Sequence, residues 1–235
     1  MIKPYSNEQS KKKQVTDMFD GIAGTYDFLN RFLSVGIDIS WRKKALKMLK
    51  PYPIQHLLDV ATGTGDFAIM AANILKPQKI TGIDISVNML QIARKKADSA
   101  YFEFQPGDAE SLNYETNTFD ASTVAFGVRN FEDLDKGLRE INRILKPGSP
   151  FLVLEFSRIT GFPLKQLFFV YSRYILPMIG KLFSLDPKAY RYLHESMHTF
   201  PAGKDFVTKL ENAGFKFIRL QKFSFGICTA YLSEK

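Results

Sequence analysis

Three aspartates stand where short apolar runs give way to turns: Asp59 in Leu57-Leu58-Asp59-Val60-Ala61, Asp84 in Ile80-Thr81-Gly82-Ile83-Asp84, and Asp108 in Gly107-Asp108-Ala109. Between the first two runs Asp59-Val60-Ala61-Thr62-Gly63-Thr64-Gly65-Asp66-Phe67-Ala68, a strand-turn-helix pattern. Gly63, Gly65 and Ala68 satisfy G-x-G-x-x-G/A, and Asp84 follows at about the twenty-residue spacing of a dinucleotide fold, so a nicotinamide enzyme is a fair competitor. Such a ligand places its pyrophosphate at the helix N-terminus. Asp59 and Asp66 flank that point, and their repulsion would amount to a few kcal/mol. S-adenosylmethionine carries an ammonium, a sulfonium and no phosphate, so carboxylates favour it. Asp84 is placed to take both ribose hydroxyls, and Asp108 to accept from the adenine amino group.

His194-Glu195-Ser196-Met197-His198 reads literally as H-E-x-x-H, a zinc-hydrolase helix. Pro201 leaves the helix little room to continue, and His56, the only other histidine, precedes the first strand. No metal is expected.

The elements around these residues alternate. Strands are expected at 57–61, 80–84, 101–104, 119–125 and 151–156, with helices at 67–75 and 87–97. Phe131, Leu134, Leu138, Ile141 and Leu145 step by three and four, a helix stopped by Pro147-Gly148. Alternation of this kind implies an α/β fold with a parallel, doubly wound sheet and helices on both faces. A helix near 204–213 precedes two strands, 215–222 and 227–233, whose short connection makes them antiparallel. Residues 1–50 read as a helical cap with Val15, Met18, Phe19, Ile22 and Tyr26 on one face, broken at Gly21 and Gly24. Residues 51–235 form the core, which carries an aromatic-rich insertion at about 157–200 with Phe162, Phe168, Phe169, Tyr171, Tyr174, Phe183, Tyr190 and Tyr192.

With 235 residues, 45% hydrophobic, the chain can bury one large core. A single cysteine, Cys228, excludes an internal disulfide framework and fits a reducing cytoplasm. Met1–Gln14 is polar and lysine-rich, unlike a secretory signal, and Arg173, Pro177 and Lys181 interrupt the most apolar stretch, so no bilayer span is expected. The net charge of +8 gathers in Lys11-Lys12-Lys13, Arg42-Lys43-Lys44 and Arg94-Lys95-Lys96. Solvated helix faces, or attraction to an anionic membrane surface, account for these clusters better than nucleic acid, for which no motif is present.

Met18-Phe-Asp-Gly-Ile-Ala-Gly-Thr-Tyr26-Asp27-Phe-Leu-Asn30, Trp41-Arg42, Phe126-Gly-Val-Arg129-Asn130, Leu145-Lys-Pro-Gly148, Leu154-Glu-Phe-Ser157, Tyr192-Leu-His-Glu-Ser196 and Phe200-Pro201 together resemble the menaquinone/ubiquinone C-methyltransferases of the class I, Rossmann-like methyltransferases. The resemblance runs almost end to end. It implies a seven-stranded, mostly parallel sheet with the last strand antiparallel, and S-adenosylmethionine as methyl donor. It also implies cofactor contacts at Thr64, Asp84, Asp108 and Ala109 over the Asp59, Gly63 and Gly65 loop. The acceptor it implies is a polyprenylated quinol, demethylmenaquinol in preference to the benzoquinol of the ubiquinone route. A non-catalytic scaffold that binds the cofactor is the remaining alternative.

A ring carbon becomes nucleophilic when the adjacent hydroxyl loses its proton. Arg129, after the fourth strand, is expected to stabilise the oxyanion, with Tyr26, Asp27 and Asn130 positioning hydroxyls or a water that serves as base. The aromatic insertion is expected to receive the prenyl tail and touch the inner face of the cytoplasmic membrane, and it also offers a homodimer contact.

Overall fold

The computed structural model describes residues 2–5, 7–97, 99–157, 161, 166, 169–175 and 187–235; Phe162, Phe168 and Phe183 of the aromatic segment lie outside them. Among the described residues seven strands form one sheet: β1 (His56–Val60), β2 (Lys79–Asp84), β3 (Phe102–Pro106), β4 (Ala121–Ala125), β5 (Pro150–Phe156), β6 (Lys216–Phe223) and β7 (Cys228–Glu234). Their order is β3-β2-β1-β4-β5-β7-β6, parallel except for β7, which runs antiparallel to both neighbours. Chain order reverses between β1 and β4, and in an open α/β sheet that switch point leaves a crevice beyond the carboxyl ends of the strands.

Period-two alternation splits the core into two layers. Leu57, Leu152 and Leu154 face a cluster with α2 (Ile37–Leu46), α3 (Asp66–Leu75) and α4 (Val87–Lys96). Leu58, Val60, Phe151 and Val153 face the opposite cluster, built on α5 (Leu134–Ile144) and on the helix Lys204–Asn212, here α7. In α5 the three-and-four spacing buries Leu138, Ile141 and Ile144 completely, and Asp133 caps the first turn by accepting from Lys136 N at 2.9 Å.

The N-terminal segment departs from expectation. Gly21 and Gly24 do not break it: α1 runs unbroken over Lys11–Ser34. A glycine costs a helix interior only about 1 kcal/mol, and α1 recovers that through contacts with the rest of the molecule. Val15 and Met18 pack with Ala189 and Tyr192 of α6 (Pro187–Thr199). Asp20 accepts from Ser86 Oγ at 2.6 Å and Asn88 N at 3.1 Å at the start of α4. The helix thus lies across the crevice and forms one of its walls.

Candidate active site

Beyond the ends of β1, β2 and β3 lies a narrow cavity of about 80 Å³, lined by Gly63, Asp84, Asp108 and Ala109 from the sheet side and by Lys12, Val15, Phe19 and Tyr26 from α1. Asp84, the last residue of β2, accepts from Gly63 N and Ser86 N, both at 2.8 Å. Burial, opposed by those two amides, raises its pKa to about 6. Gly63 has φ +57, and a Cβ placed there would meet nothing within 4 Å, so the loop is open to a ligand from above. Gly65 has the opposite reason to be glycine: with φ +80, a Cβ would press on Ala93 Cβ at 3.0 Å and Phe104 at 3.2 Å.

Thr64, expected among the cofactor contacts, does not line this cavity, and neither do Asp59 and Gly65 of the loop expected beneath it. Asp59 accepts from Thr62 Oγ1 at 2.7 Å and Thr123 Oγ1 at 2.6 Å, tying the loop to β4 from below, and burial pushes its pKa to about 6. Thr64 donates to Asp27 Oδ1 at 2.6 Å. Asp27, whose other oxygen is bound by Lys96, is therefore a tie between α1, the glycine loop and α4, and it does not line this cavity.

Asp66 does not stand as a bare charge beside the loop. Asp66 holds Lys96 at 2.6 Å, Arg31 at 3.3 Å and Arg42 at 3.7 Å, so three cations offset the carboxylate that was to repel a pyrophosphate. What opposes a phosphate here is Asp84, whose carboxylate already occupies the Gly63 amide that a dinucleotide would need.

Two lysines at the start of α1 strap it over the cavity. Lys12 Nζ bonds Asp108 Oδ2 at 2.7 Å and Glu110 Oε2 at 3.1 Å. Lys11 Nζ donates to the carbonyls of Arg129 at 3.0 Å and Phe131 at 2.5 Å, and burial lowers its pKa to about 8.

A second, larger cavity of about 370 Å³ opens further along the same face of α1, with Met18, Ile22, Leu29, Trp41, Phe156, Tyr171 and Tyr192 among its walls. Phe19, Tyr26, Phe126 and Asn130 line both cavities, so the two meet at a shared wall of three rings and one amide. Asn130 Oδ1 accepts from Tyr192 OH at 3.2 Å. Arg129 lines the larger cavity from a buried position, where its Nη1 donates to Glu155 Oε1 at 2.7 Å and Phe126 O at 2.6 Å. Its side chain is 6% exposed and that of Glu155 is fully buried, which raises the Glu155 pKa against the pull of Arg129.

Phe126 and Ala61 hold φ of 59° and 53° at the ends of β4 and β1. A left-handed conformation in a residue with a side chain costs about 1–3 kcal/mol and collects at functional sites. Here it turns the chain so that Phe126 faces both cavities. Reading the sequence did not bring out Phe126, Glu155 or Lys12 as site residues. The Arg129–Glu155 spacing gives no local signal, because strands β4 and β5 bring the pair together.

His194 and His198 share a face of α6, ring centroids 4.5 Å apart, with Phe169 packed on both. Among the described residues no third side chain joins them in a cluster able to hold a metal. No described helix is long and apolar enough to cross a membrane.

Residues 7–235 match the family model described as the ubiE/COQ5 methyltransferase family. The chain is 48% identical to a demethylmenaquinone methyltransferase of Bacteroides fragilis, covering 100% of this chain and 97% of that protein. It is 42% identical to a ubiquinone/menaquinone biosynthesis C-methyltransferase of Geotalea daltonii, covering 96% and 97%. Its fold matches the crystal structure of an S-adenosylmethionine-dependent methyltransferase from Thermotoga maritima, with a TM-score of 0.68 at 19% identity over 94% and 99% of the two chains.

Proposed function

Because the chain belongs to the ubiE/COQ5 methyltransferase family, we propose that its two cavities divide a methyl transfer from S-adenosylmethionine to a ring carbon of demethylmenaquinol. The observation that carries this reading is the wall shared by a narrow, acid-bearing cavity and a larger apolar one. Gly63, Asp84, Asp108 and Ala109 suit a cationic nucleoside. Asp84 takes the ribose hydroxyls, and Asp108 takes the adenine amino group once Lys12 yields that oxygen. S-adenosylmethionine, when bound, supplies an electrophilic methyl group on a sulfonium.

The residues of the chain do the rest. Arg129 holds the acceptor oxygen as an oxyanion, which places charge on the neighbouring ring carbon. Glu155 fixes the guanidinium so that it needs no reorganisation. Phe19, Tyr26 and Phe126 exclude water and align the ring, and Tyr26 with Asn130 holds the water that removes the ring proton. Residues 1–50 act as the cap, α1 forming the wall common to both ligands.

Labelled S-adenosylmethionine should deliver its methyl group to reduced demethylmenaquinol and not to the demethylated benzoquinol precursor. Label in both acceptors would make the enzyme serve both quinone routes. Label in neither, with the cofactor bound, would leave the scaffold reading.

A polyprenyl acceptor resides in lipid, and Val35 (84% exposed) and Ile37 line the mouth of the larger cavity. Phe28 and Phe32 on α1 and Phe225 beside Ser224 add exposed apolar surface nearby, with Lys43 and Lys44 on α2. We propose that this corner, together with the 157–200 segment, rests on the anionic inner face of the cytoplasmic membrane. The Val35→Asp/Phe225→Asp variant is expected to bind anionic vesicles at least about tenfold more weakly in a flotation assay. Unchanged binding would remove the membrane contact from this corner. Sedimentation of the same variant reports the alternative, self-association into a homodimer.

A further inference from the structure

Arg42 is 9% exposed, yet its Nε, sealed from solvent, has no hydrogen-bond partner among the described residues. The carboxylates beside it, Asp38 at 3.6 Å from Nε and Asp66 at 3.7 Å from Nη1, stand outside hydrogen-bond range. Asp38 accepts instead from Ser34 Oγ at 2.6 Å, and Asp66 from Lys96 at 2.6 Å. A guanidinium carries five N–H donors, and this one, ion-paired only at 3.6 and 3.7 Å, keeps a buried Nε that no acceptor satisfies, which calls for a reason. Arg42 also lines the larger cavity, as Arg129 does.

The two arginines are placed alike. The Arg42 guanidinium carbon lies 5.7 Å from the centroid of the Phe126 ring, and that of Arg129 lies 5.5 Å from the Phe156 ring. Those two rings are 4.8 Å apart. Two cations therefore flank one aromatic pair in the wall of a mostly apolar cavity that Asp38 also lines, and each has a buried Nε without a partner.

We infer that Arg42 is a specificity-determining residue that donates to the second oxygen of the acceptor, so the site reads a para-dioxygenated ring and not a simple phenol. Arg129 serves the oxygen beside the methylated carbon and Arg42 the oxygen across the ring. The inference rests on the quinol reading above. It gives the buried, unpartnered Nε of Arg42 an acceptor in a mostly apolar chamber.

The test compares two short-chain prenylated acceptors: the 1,4-naphthoquinol, and the mono-hydroxynaphthalene that keeps only the hydroxyl beside the methylated carbon. Wild-type enzyme methylating the quinol establishes the underlying reading independently of Arg42. Arg42→Gln is then expected to lower kcat/KM for the quinol about 10- to 100-fold, chiefly through KM, while the value for the mono-ol stays unchanged. Cofactor affinity, by calorimetry, should stay within about twofold, and quenching of the only tryptophan, Trp41 in the same cavity wall, should report weaker quinone binding. Arg42→Lys should recover part of the preference. Equal losses for both acceptors, or a parallel loss of cofactor affinity, would overturn the assignment and make Arg42 a packing residue between α2 and α3.

Discussion

Arg129→Met is expected to cut turnover by orders of magnitude and to destabilise the fold at the same time, and the two losses are separable. Removing a preorganised donor from a developing oxyanion lowers kcat on the order of 10²–10³-fold. The same change strands Glu155, fully buried and bonded to Arg129 at 2.7 Å. An uncompensated buried carboxylate costs about 3–5 kcal/mol, which for a chain of this length lowers Tm by on the order of 10 °C. A single variant would confuse a folding defect with a catalytic one. Arg129→Met/Glu155→Met removes both charges and fills similar volume, a replacement that is commonly neutral or stabilising. The double variant should therefore regain the wild-type melting temperature and bind S-adenosylmethionine normally, yet remain inactive. Activity returning with stability would reduce Arg129 to a structural ion pair, and cofactor affinity falling in the stable double variant would place it in the wrong cavity.

What the sequence revealed, and what it concealed, follows from where the causes act. The glycine loop, Asp84 and the staircase of α5 are local: a turn, a strand end and a helical period can each be read within a dozen residues. Strand limits moved by only a residue or two, as at β3, where pairing with β2 carries the strand on to Pro106. The failures were tertiary. Gly21 and Gly24 argue for a break by propensity, but packing against α6 and the ties from Asp20 to α4 hold α1 straight. Asp66 was read by its own charge, while in the fold Lys96, and Arg31 and Arg42 from two other helices, surround it. The same blindness applied to Arg42, which reads on sequence as part of a solvated basic cluster and proves to be one of the most deeply placed cations in the molecule. A charge in sequence is legible, but its partners are a property of the fold.

Asp84 yields the other large expected effect, a pH-dependent affinity for the cofactor. Burial holds the folded pKa near 6, with the Gly63 and Ser86 amides pulling it down and Asp20 on α1 pushing it up. An unfolded aspartate titrates near 3.8. The ligand-free fold is therefore favoured by protonated Asp84 at pH below about 4, and that stability is lost as pH rises through 6, by roughly 3 kcal/mol. Asp59, raised for the same reason, follows the same course. On the reading proposed above, the ribose hydroxyls donate to the Asp84 carboxylate, so S-adenosylmethionine binds the ionised form that the empty fold resists. Cofactor affinity should consequently rise with pH through 6 and fall about tenfold per unit below it. Asp84→Asn places an amide donor against the N–H of Gly63 or Ser86 and removes the charge. The variant is expected to bind S-adenosylmethionine on the order of 100-fold more weakly, with no pH slope between 5 and 7. Asp59→Asn is the control, because Asp59 faces Thr62 and Thr123 beneath the loop: it should alter the pH dependence of unfolding and leave the slope of binding intact. Calorimetric titrations of the three proteins at pH 5, 6 and 7 decide the matter. A slope that survives in Asp84→Asn, or disappears in Asp59→Asn, would move the cofactor's proton linkage from the end of β2 to the floor of the loop.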